Sequence, residues 1–286
     1  MGTLDINKKF IFIVGQPKSG TTSLYNWLSK HPKICPSTIK ETRFFLDQDS
    51  TQPRKMKFNG NNIDEYMELF PSKEYTYHLE ASPDYLYHEL PLNIQEHLPN
   101  SYFIIIERDP VDRMLSSYRY FQQQGRIPLS LTFEDYIGKQ KLNKKISEDM
   151  TPFHSLEQCK RSYINKFEKT YGNNCLIFDF QMLKNRPDVV VDECLKKIGL
   201  TNCNQPRQDY QPHNISKNTI SPIITKLFRA ARRTISFSLI KFPRIRKFLG
   251  YLSSYIQKFI YRTSTSNVKI DVSQRTKDII NDIATR

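Results

Sequence analysis

Residues 9–28, "KFIFIVGQPKSGTTSLYNWL", constrain the fold more than any other stretch of the chain. A short, unbroken apolar run over 9–14 ends at Gly15, the pattern of a strand buried on both faces of a parallel sheet. Beyond the glycine, Leu24, Trp27 and Leu28 fall at helical spacing, and Pro32 ends the pattern. Strand, glycine loop and helix form the first half of a βαβ unit. "SYFIIIERDPVDRMLSSYRYF" (101–121) repeats the arrangement: Phe103 to Ile106 read as a buried strand, and Pro110 suits the first turn of a helix carrying Val111, Met114, Leu115 and Tyr118. In "NCLIFDFQMLKNRPDVVVDECLKKIGL", Leu176 to Phe178 are the strand and Val189 to Ile198 the helix, closed by Gly199. "YTYHLEASP" adds a fourth strand, and 155–172 reads as an amphipathic helix ending at Gly172. Strands alternating with helices predict an α/β fold, a P-loop-like parallel sheet flanked by helices. The polar stretch 47–62 and the Lys-rich 139–149 read as surface loops.

With 286 residues, one domain with an appendage is the expected organisation. The appendage is marked by charge. Of the net +14, the span from Tyr210 to Ile270 supplies 12 Lys/Arg against no Asp or Glu, which leaves +2 for everything else. The division expected is therefore a domain over 1–220 and a basic helical C-terminal extension over 221–286, packed on that domain. Five cysteines, with no CxxC pair and no zinc-ligand spacing, read as reduced thiols. No apolar run approaches the 18 residues a spanning helix needs, and the first ten residues lack the anatomy of a signal peptide. The expectation is a cytoplasmic protein, with membrane association left open.

Residues 15–23 lie where a parallel sheet binds ligands, beyond a strand's carboxyl end. Successive N–H groups at a helix start attract an anion, and Ser19, Thr21, Thr22 and Ser23 add hydroxyls around Gly20. Gly15, Gly20 and Thr22 have the spacing of a Walker loop, yet Thr21 stands where that loop has its lysine. The only lysine is inside the loop, at Lys18, and Asp109 comes one position too late to be the strand-end magnesium partner. The anion expected is not a magnesium-bound triphosphate, although a magnesium-dependent P-loop kinase stands as the rival reading.

"PKSGTTSL" resembles the 5′-phosphosulfate loop of sulfotransferases that use 3′-phosphoadenosine 5′-phosphosulfate (PAPS). "IIIERDPVDRMLSSYRYF" resembles their 3′-phosphate motif, an arginine at a strand end followed eight residues later by a serine, here Arg108 and Ser116. About two helical turns separate the pair, which keeps them on one side, where a guanidinium fork and a hydroxyl can grip a terminal phosphate. The resemblance implies PAPS as donor, bound by Lys18, Ser19, Gly20, Thr21, Thr22, Ser23, Arg108 and Ser116, with no metal.

Between the motifs, "TIKETRFFLDQ" is similar to a Lys-Glu-x-x-Phe-Phe stretch of heparan-sulfate-type and bacterial sulfotransferases, whose glutamate is the proposed general base. The matching residue is Glu41, with Lys40 before it and Phe44 and Phe45 after. A hydroxyl acceptor needs such a base, and two phenylalanines beside the carboxylate would raise its pKa. The alternative is a solvated Lys-Glu pair before a core Phe pair. The sequence departs from the pattern at Arg43, where many relatives have histidine, and at Ala81 in "EASPDYL", where the heparan enzymes have lysine. The implied reaction is transfer of a sulfuryl group to a hydroxyl, on a glycan or glycolipid, with Lys18 stabilising the leaving phosphate.

The basic stretch 224–262 mixes Arg/Lys with Phe, Leu, Ile and Tyr. A helical cap on the core, an anionic membrane surface and an acidic glycan remain open as its partner. Nucleic acid is set aside, because no recognised nucleic-acid fold accompanies the aromatics. A catalytically silent polyanion binder is the second rival. "PHNISKN" (212–218) resembles a further family stretch, with Lys217 as a residue that could close over the donor.

Overall fold

The structure, a computed structural model, describes residues 7–142, 152–201, 210–211, 218–219, 261–262 and 270–286. The basic stretch 224–262, apart from the backbone of 261–262, and the 212–217 segment with Lys217 and His213 lie outside the described residues.

Five parallel strands form the sheet: β1 (Lys9–Gly15), β2 (Ile34–Pro36), β3 (Tyr77–Ala81), β4 (Ser101–Glu107) and β5 (Cys175–Asp179), in the order β2-β3-β1-β4-β5. The apolar run of β1 is continuous because both of its faces are buried. Phe10, Phe12 and Val14 enter a cluster with Phe44, Phe45, Tyr66 and Tyr85, while Ile11 and Ile13 face the opposite cluster with Leu24 and Trp27. A strand's period of two makes this division automatic. Helix α1 (Thr21–Leu28) covers the second face, and the helix over Arg161–Tyr171 covers the first through Ile164, Phe167 and Tyr171.

Between β2 and β4 the chain carries two short helices, α2 (Ile63–Met67) and α3 (Ile94–His97). After β4 come α4 (Pro110–Gln123) and α5 (Phe133–Gly138). The helix Arg161–Tyr171 is α6; α7 (Phe180–Asn185) and α8 (Pro187–Lys197) follow β5. The Asp109 carboxylate caps α4 by accepting from the N–H of Asp112 at 2.8 Å, and Pro110 takes the first helical position.

Besides the short helices α2, α3, α5 and α7, for which the sequence shows no pattern, two further elements differ from the expectation. β2 has three residues, too few to show periodicity, and its Pro36 fits an edge strand. The helix expected over 155–172 begins only at Arg161, because the Ser155 carbonyl accepts from the guanidinium of Arg113 at 2.6 Å and Lys160 is extended in ψ.

A third cluster joins α4 and α5 to α9 (Gln274–Thr285) through Met114, Tyr118, Tyr136, Ile280 and Ile283. This C-terminal helix carries Arg275 and Lys277 against Asp278 and Asp282, so the cationic excess does not reside in it. Residues 218–219 and 261–262 form an antiparallel pair. No helix among the described residues is long and apolar enough to cross a membrane, and Cys35, Cys159, Cys175 and Cys194 are free thiols.

Ile280 is fully buried in the third cluster. Ile280→Ala should lower the unfolding free energy by about 2–5 kcal/mol in urea titrations, the cost of a truncated core aliphatic. A loss under about 0.5 kcal/mol would mean that α9 does not share the cooperative unit.

Candidate active site

The chain leaves β1 for β2 and β3 on one side and returns to β4 on the other, so the order reverses between β1 and β4. Crevices at the carboxyl ends of such strands are where α/β sheets hold ligands. The register brings Ile13 beside Ile104, and β4 then runs on to Glu107, beyond the end of β1. Residues following either strand are thereby forced together.

The loop after β1 turns through Lys18 with a left-handed φ of 69° and Gly20 with φ 82°. Gly20 is needed twice over, for that backbone and because a Cβ would meet Leu183 Cδ2 at 2.8 Å. Ser19, Thr21 and Ser23 are buried and Thr22 is half-buried. Ser19 Oγ has no hydrogen-bond partner.

Arg108 closes the loop from the β4 side. Its Nη1 donates to the Lys18 carbonyl at 2.8 Å, and its N–H donates to Gln16 Oε1 at 3.2 Å. Its guanidinium lies 4.3 Å from the Phe180 ring centroid, and Nε is buried without a partner. Lys18 Nζ sits 3.9 Å from the centroid of Tyr120 on α4. Ser116 stands one turn before Tyr120, half-buried on the same helix face, which is therefore the face turned toward the loop. Burial and the Arg108 charge lower the Lys18 pKa to about 8, against a smaller opposing pull from Glu41.

Glu41 reaches this crevice from β3. Its N–H donates to the carbonyl of Ala81, the last residue of that strand, at 3.0 Å, and its φ is 64°. Lys40 Nζ lies 2.8 Å from one carboxylate oxygen and Arg43 Nη2 lies 2.9 Å from the other. Arg43, also left-handed at φ 57°, pairs through Nε with the buried Asp84 at 3.2 Å. The role of Arg43 is thus to hold Glu41 from a fixed carboxylate. Phe44 and Phe45 are buried in the core, and two cations flank the Glu41 carboxylate.

Beneath the turn lies Glu80, fully buried on β3. Ser82 Oγ donates to it at 2.6 Å and Tyr66 OH at 2.7 Å; Thr42 and Tyr85 also donate. Three of these hydroxyls accept from the turn's own backbone: Ser82 Oγ from Arg43 N, Tyr85 OH from Phe45 N, and Thr42 Oγ1 from Phe44 N. One buried carboxylate therefore organises the donors that fix residues 42–45 and, with them, the strained presentation of Glu41. Burial raises the Glu80 pKa. "EASPDYL" is consequently a support for the 41–45 turn.

Motif resemblance pointed to Lys18, Arg108 and Glu41, and Glu80 opens the "EASPDYL" stretch quoted with them, but Gln16, Tyr120 and Phe180 carry no signal of a role in the site. Gln16, 2 % exposed in a loop, shows in the sequence only as a polar residue beside a glycine.

A hydroxyl-rich loop at the end of β1, tied from β4 by an arginine, forms a crevice of the kind α/β transferases use. The sulfotransferase family model matches residues 11–202, and the chain belongs to that family. It is 28% identical over 211 residues to bifunctional heparan sulfate N-deacetylase/N-sulfotransferase 1 of Xenopus laevis, covering 67% of this chain and 22% of that protein. With the human protein of the same name the identity is 29% over 212 residues, again covering 67% and 22%. The chain thus spans about a fifth of the length of these relatives. Among solved structures, a sulfotransferase from Alicyclobacillus acidocaldarius superposes with a TM-score of 0.57 at 22% identity, covering 84% of this chain and 96% of that one, and shares the fold.

Because the folded Lys18 sheds its proton near pH 8 and the unfolded one near 10.5, the unfolded chain binds more protons between those values. Stability from this residue therefore rises with pH across that window and is lowest below it, where the charge is held without a counter-ion. Urea midpoints from pH 7 to 10 should show Lys18→Met more stable than the wild type at pH 7, with the gap closing toward pH 10. A gap that stays constant would dissociate Lys18 from the titration.

Proposed function

We propose that this protein moves a sulfuryl group from PAPS to an acceptor hydroxyl on a carbohydrate. The observation that carries the reading is the Nη1–carbonyl bond between Arg108 and Lys18, which joins the two phosphate-type motifs at one crevice. The donor set suits a nucleotide with phosphates at both ends of its ribose. Ser19 Oγ and Arg108 Nε are buried with hydrogen-bonding capacity unused, and the cations present exceed the carboxylates facing them.

In this reading, the loop N–H groups with Ser19, Gly20, Thr21, Thr22 and Ser23 hold the 5′ end of the nucleotide, and Arg108 with Ser116 holds the 3′-phosphate. The donor supplies an activated S–O bond. Glu41 takes the acceptor's proton as the oxygen–sulfur bond forms, and Lys40 and Arg43 fix the carboxylate for that transfer. Lys18 donates to the bridging oxygen as negative charge grows on the leaving phosphate. Moving the lysine from the helix start to the loop puts the cation where charge develops. The relatives' names support a glycan acceptor, and they specify nitrogen as the atom sulfated. An amino-sugar nitrogen is accordingly the second candidate nucleophile, distinguishable by the acid lability of the product.

Adenosine 3′,5′-bisphosphate should bind without magnesium in calorimetry, and Arg108→Ala should weaken that binding by about 1.5–3 kcal/mol, as loss of a charged hydrogen bond does. A requirement for ATP with magnesium would overturn the reading in favour of a kinase. Glu41→Ala should retain bisphosphate affinity while sulfate transfer from radiolabelled PAPS falls about 10²–10⁴-fold, the range for loss of a general base. Equal turnover in the variant and the wild type would remove Glu41 from that role.

A further inference from the structure

Beside Arg108 lies a cavity of about 440 Å³, walled by the end of β4, the starts of α4 and α6, and the end of α9. Gln16 and Arg108 connect it to the donor loop, and Glu107, Arg113, Arg161 and Asn281 continue its wall. A volume of this order matches a ligand rather than a packing defect.

Arg113 makes the cavity chemically specific. Its side chain is 1 % exposed, and only Nη2 is used, donating to the Ser155 carbonyl at 2.6 Å and to Cys159 Sγ at 2.9 Å. Nε and Nη1 have no partner, and no described carboxylate forms an ion pair with the guanidinium. Burying a cation without a counter-ion costs several kcal/mol, and a folded chain rarely tolerates it without a use. Cys159 does not provide the missing charge: burial pushes its thiol pKa up, so the sulfur stays protonated at neutral pH. The one carboxylate in the wall, Glu107, is already paired with Arg161. Asp109 and Asp112 act on Arg108 from the α4 start, where Asp109 is occupied as the cap. The α6 N-terminus at Arg161 has no side-chain cap, which leaves its first-turn N–H groups to add positive potential.

We propose that this cavity is an oxyanion subsite, in which Arg113 and Arg161 receive a carboxylate or sulfate ester borne by the acceptor. The occupant lies next to Gln16 and Arg108, so the group it anchors orients the rest of the acceptor toward the transfer crevice. This rests on the sulfuryl-transfer reading for the acceptor's identity, whereas the anion affinity of the cavity stands independently of it. The specificity implied is for an acidic glycan unit over a neutral one of the same size.

The experiment first saturates the donor loop with adenosine 3′,5′-bisphosphate and then titrates inorganic sulfate, following Tm. The wild type should gain further stability, and Arg161→Ala and Arg113→Lys should each lose most of that second increment while responding normally to the bisphosphate. No second increment in the wild type, or an unchanged one in both variants, overturns the subsite. If Arg113→Lys fails to fold, Arg161→Ala decides, since the Arg161 side chain is partly exposed. Failure of the bisphosphate itself to stabilise strikes the donor reading instead, and sulfate alone then reports on the cavity through the same variants. Transfer assays with a uronate-containing oligosaccharide and its carboxyl-reduced counterpart test the acceptor half. KM should be at least about tenfold higher for the reduced form with kcat little changed, and Arg161→Ala should narrow that difference. Equal KM values would assign the cavity to free inorganic anions and overturn the acceptor claim.

Discussion

The parallel pairing of β1 with β4 is the constraint from which the rest of the site follows. Neither motif is an anion site by itself. The loop after β1 is a turn with surplus donors, and Arg108 is a cation at the tip of a strand. Pairing places Ile13 beside Ile104 and lets β4 extend past Gly15, so that Gln16 N donates to the Ile106 carbonyl at 3.0 Å and Arg108 N donates back to the Gln16 side chain. Apolar burial on both faces fixes that register: a slip by one residue would send Phe12 and Phe103 to the opposite cluster. The hydrophobic core thus sets the relative position of the donor loop and the arginine that meets it.

The third contributor arrives by a different means. Glu41 belongs to no helix or strand, and both Glu41 and Arg43 adopt backbone conformations that cost free energy for residues with a Cβ. What holds them is polar: Glu80 is sunk beneath the turn, and the hydroxyls that satisfy it also accept from the turn's N–H groups. Arg43 adds an outer tie, from Glu41 to the buried Asp84. The Glu41 carboxylate is therefore aimed by an inner carboxylate and steadied by an outer one.

These two modes explain what was legible in the sequence. β1, β3, β4 and β5 could be read because burial on both faces leaves apolar runs, whereas three-residue β2 leaves none. The start of α6 was missed because a distant side chain, Arg113, captures the Ser155 carbonyl that would otherwise belong to the helix. In the site, Lys18, Arg108 and Glu41 stood out because each lies in a stretch that resembles a motif of a known family. Tyr120 and Phe180 did not, because their contacts with the two cations depend on how α4 and α7 pack. The Phe44–Phe45 pair lies in the core beside a turn whose shape sequence does not show. A side chain's distance along the chain from Glu41 says nothing about which way a left-handed turn will throw it.

Buried donors without acceptors gather at the sheet's carboxyl edge. Ser19 Oγ, Arg108 Nε, and Arg113 Nε and Nη1 are buried donors without acceptors, all within elements that meet there. Lys18 loses part of its hold on a proton for the same reason, crowded by Arg108 and desolvated beside Tyr120. A core assembled for stability alone would place carboxylates among these cations. Instead, the carboxylates nearby are committed elsewhere: Asp109 to a helix cap, Glu107 to Arg161, and Asp84 to Arg43. The free chain thereby carries an electrostatic debt, and anions on both sides of Arg108 would remove it. An anion that took these donors would also stabilise the fold, because they are groups the folded chain leaves unsatisfied.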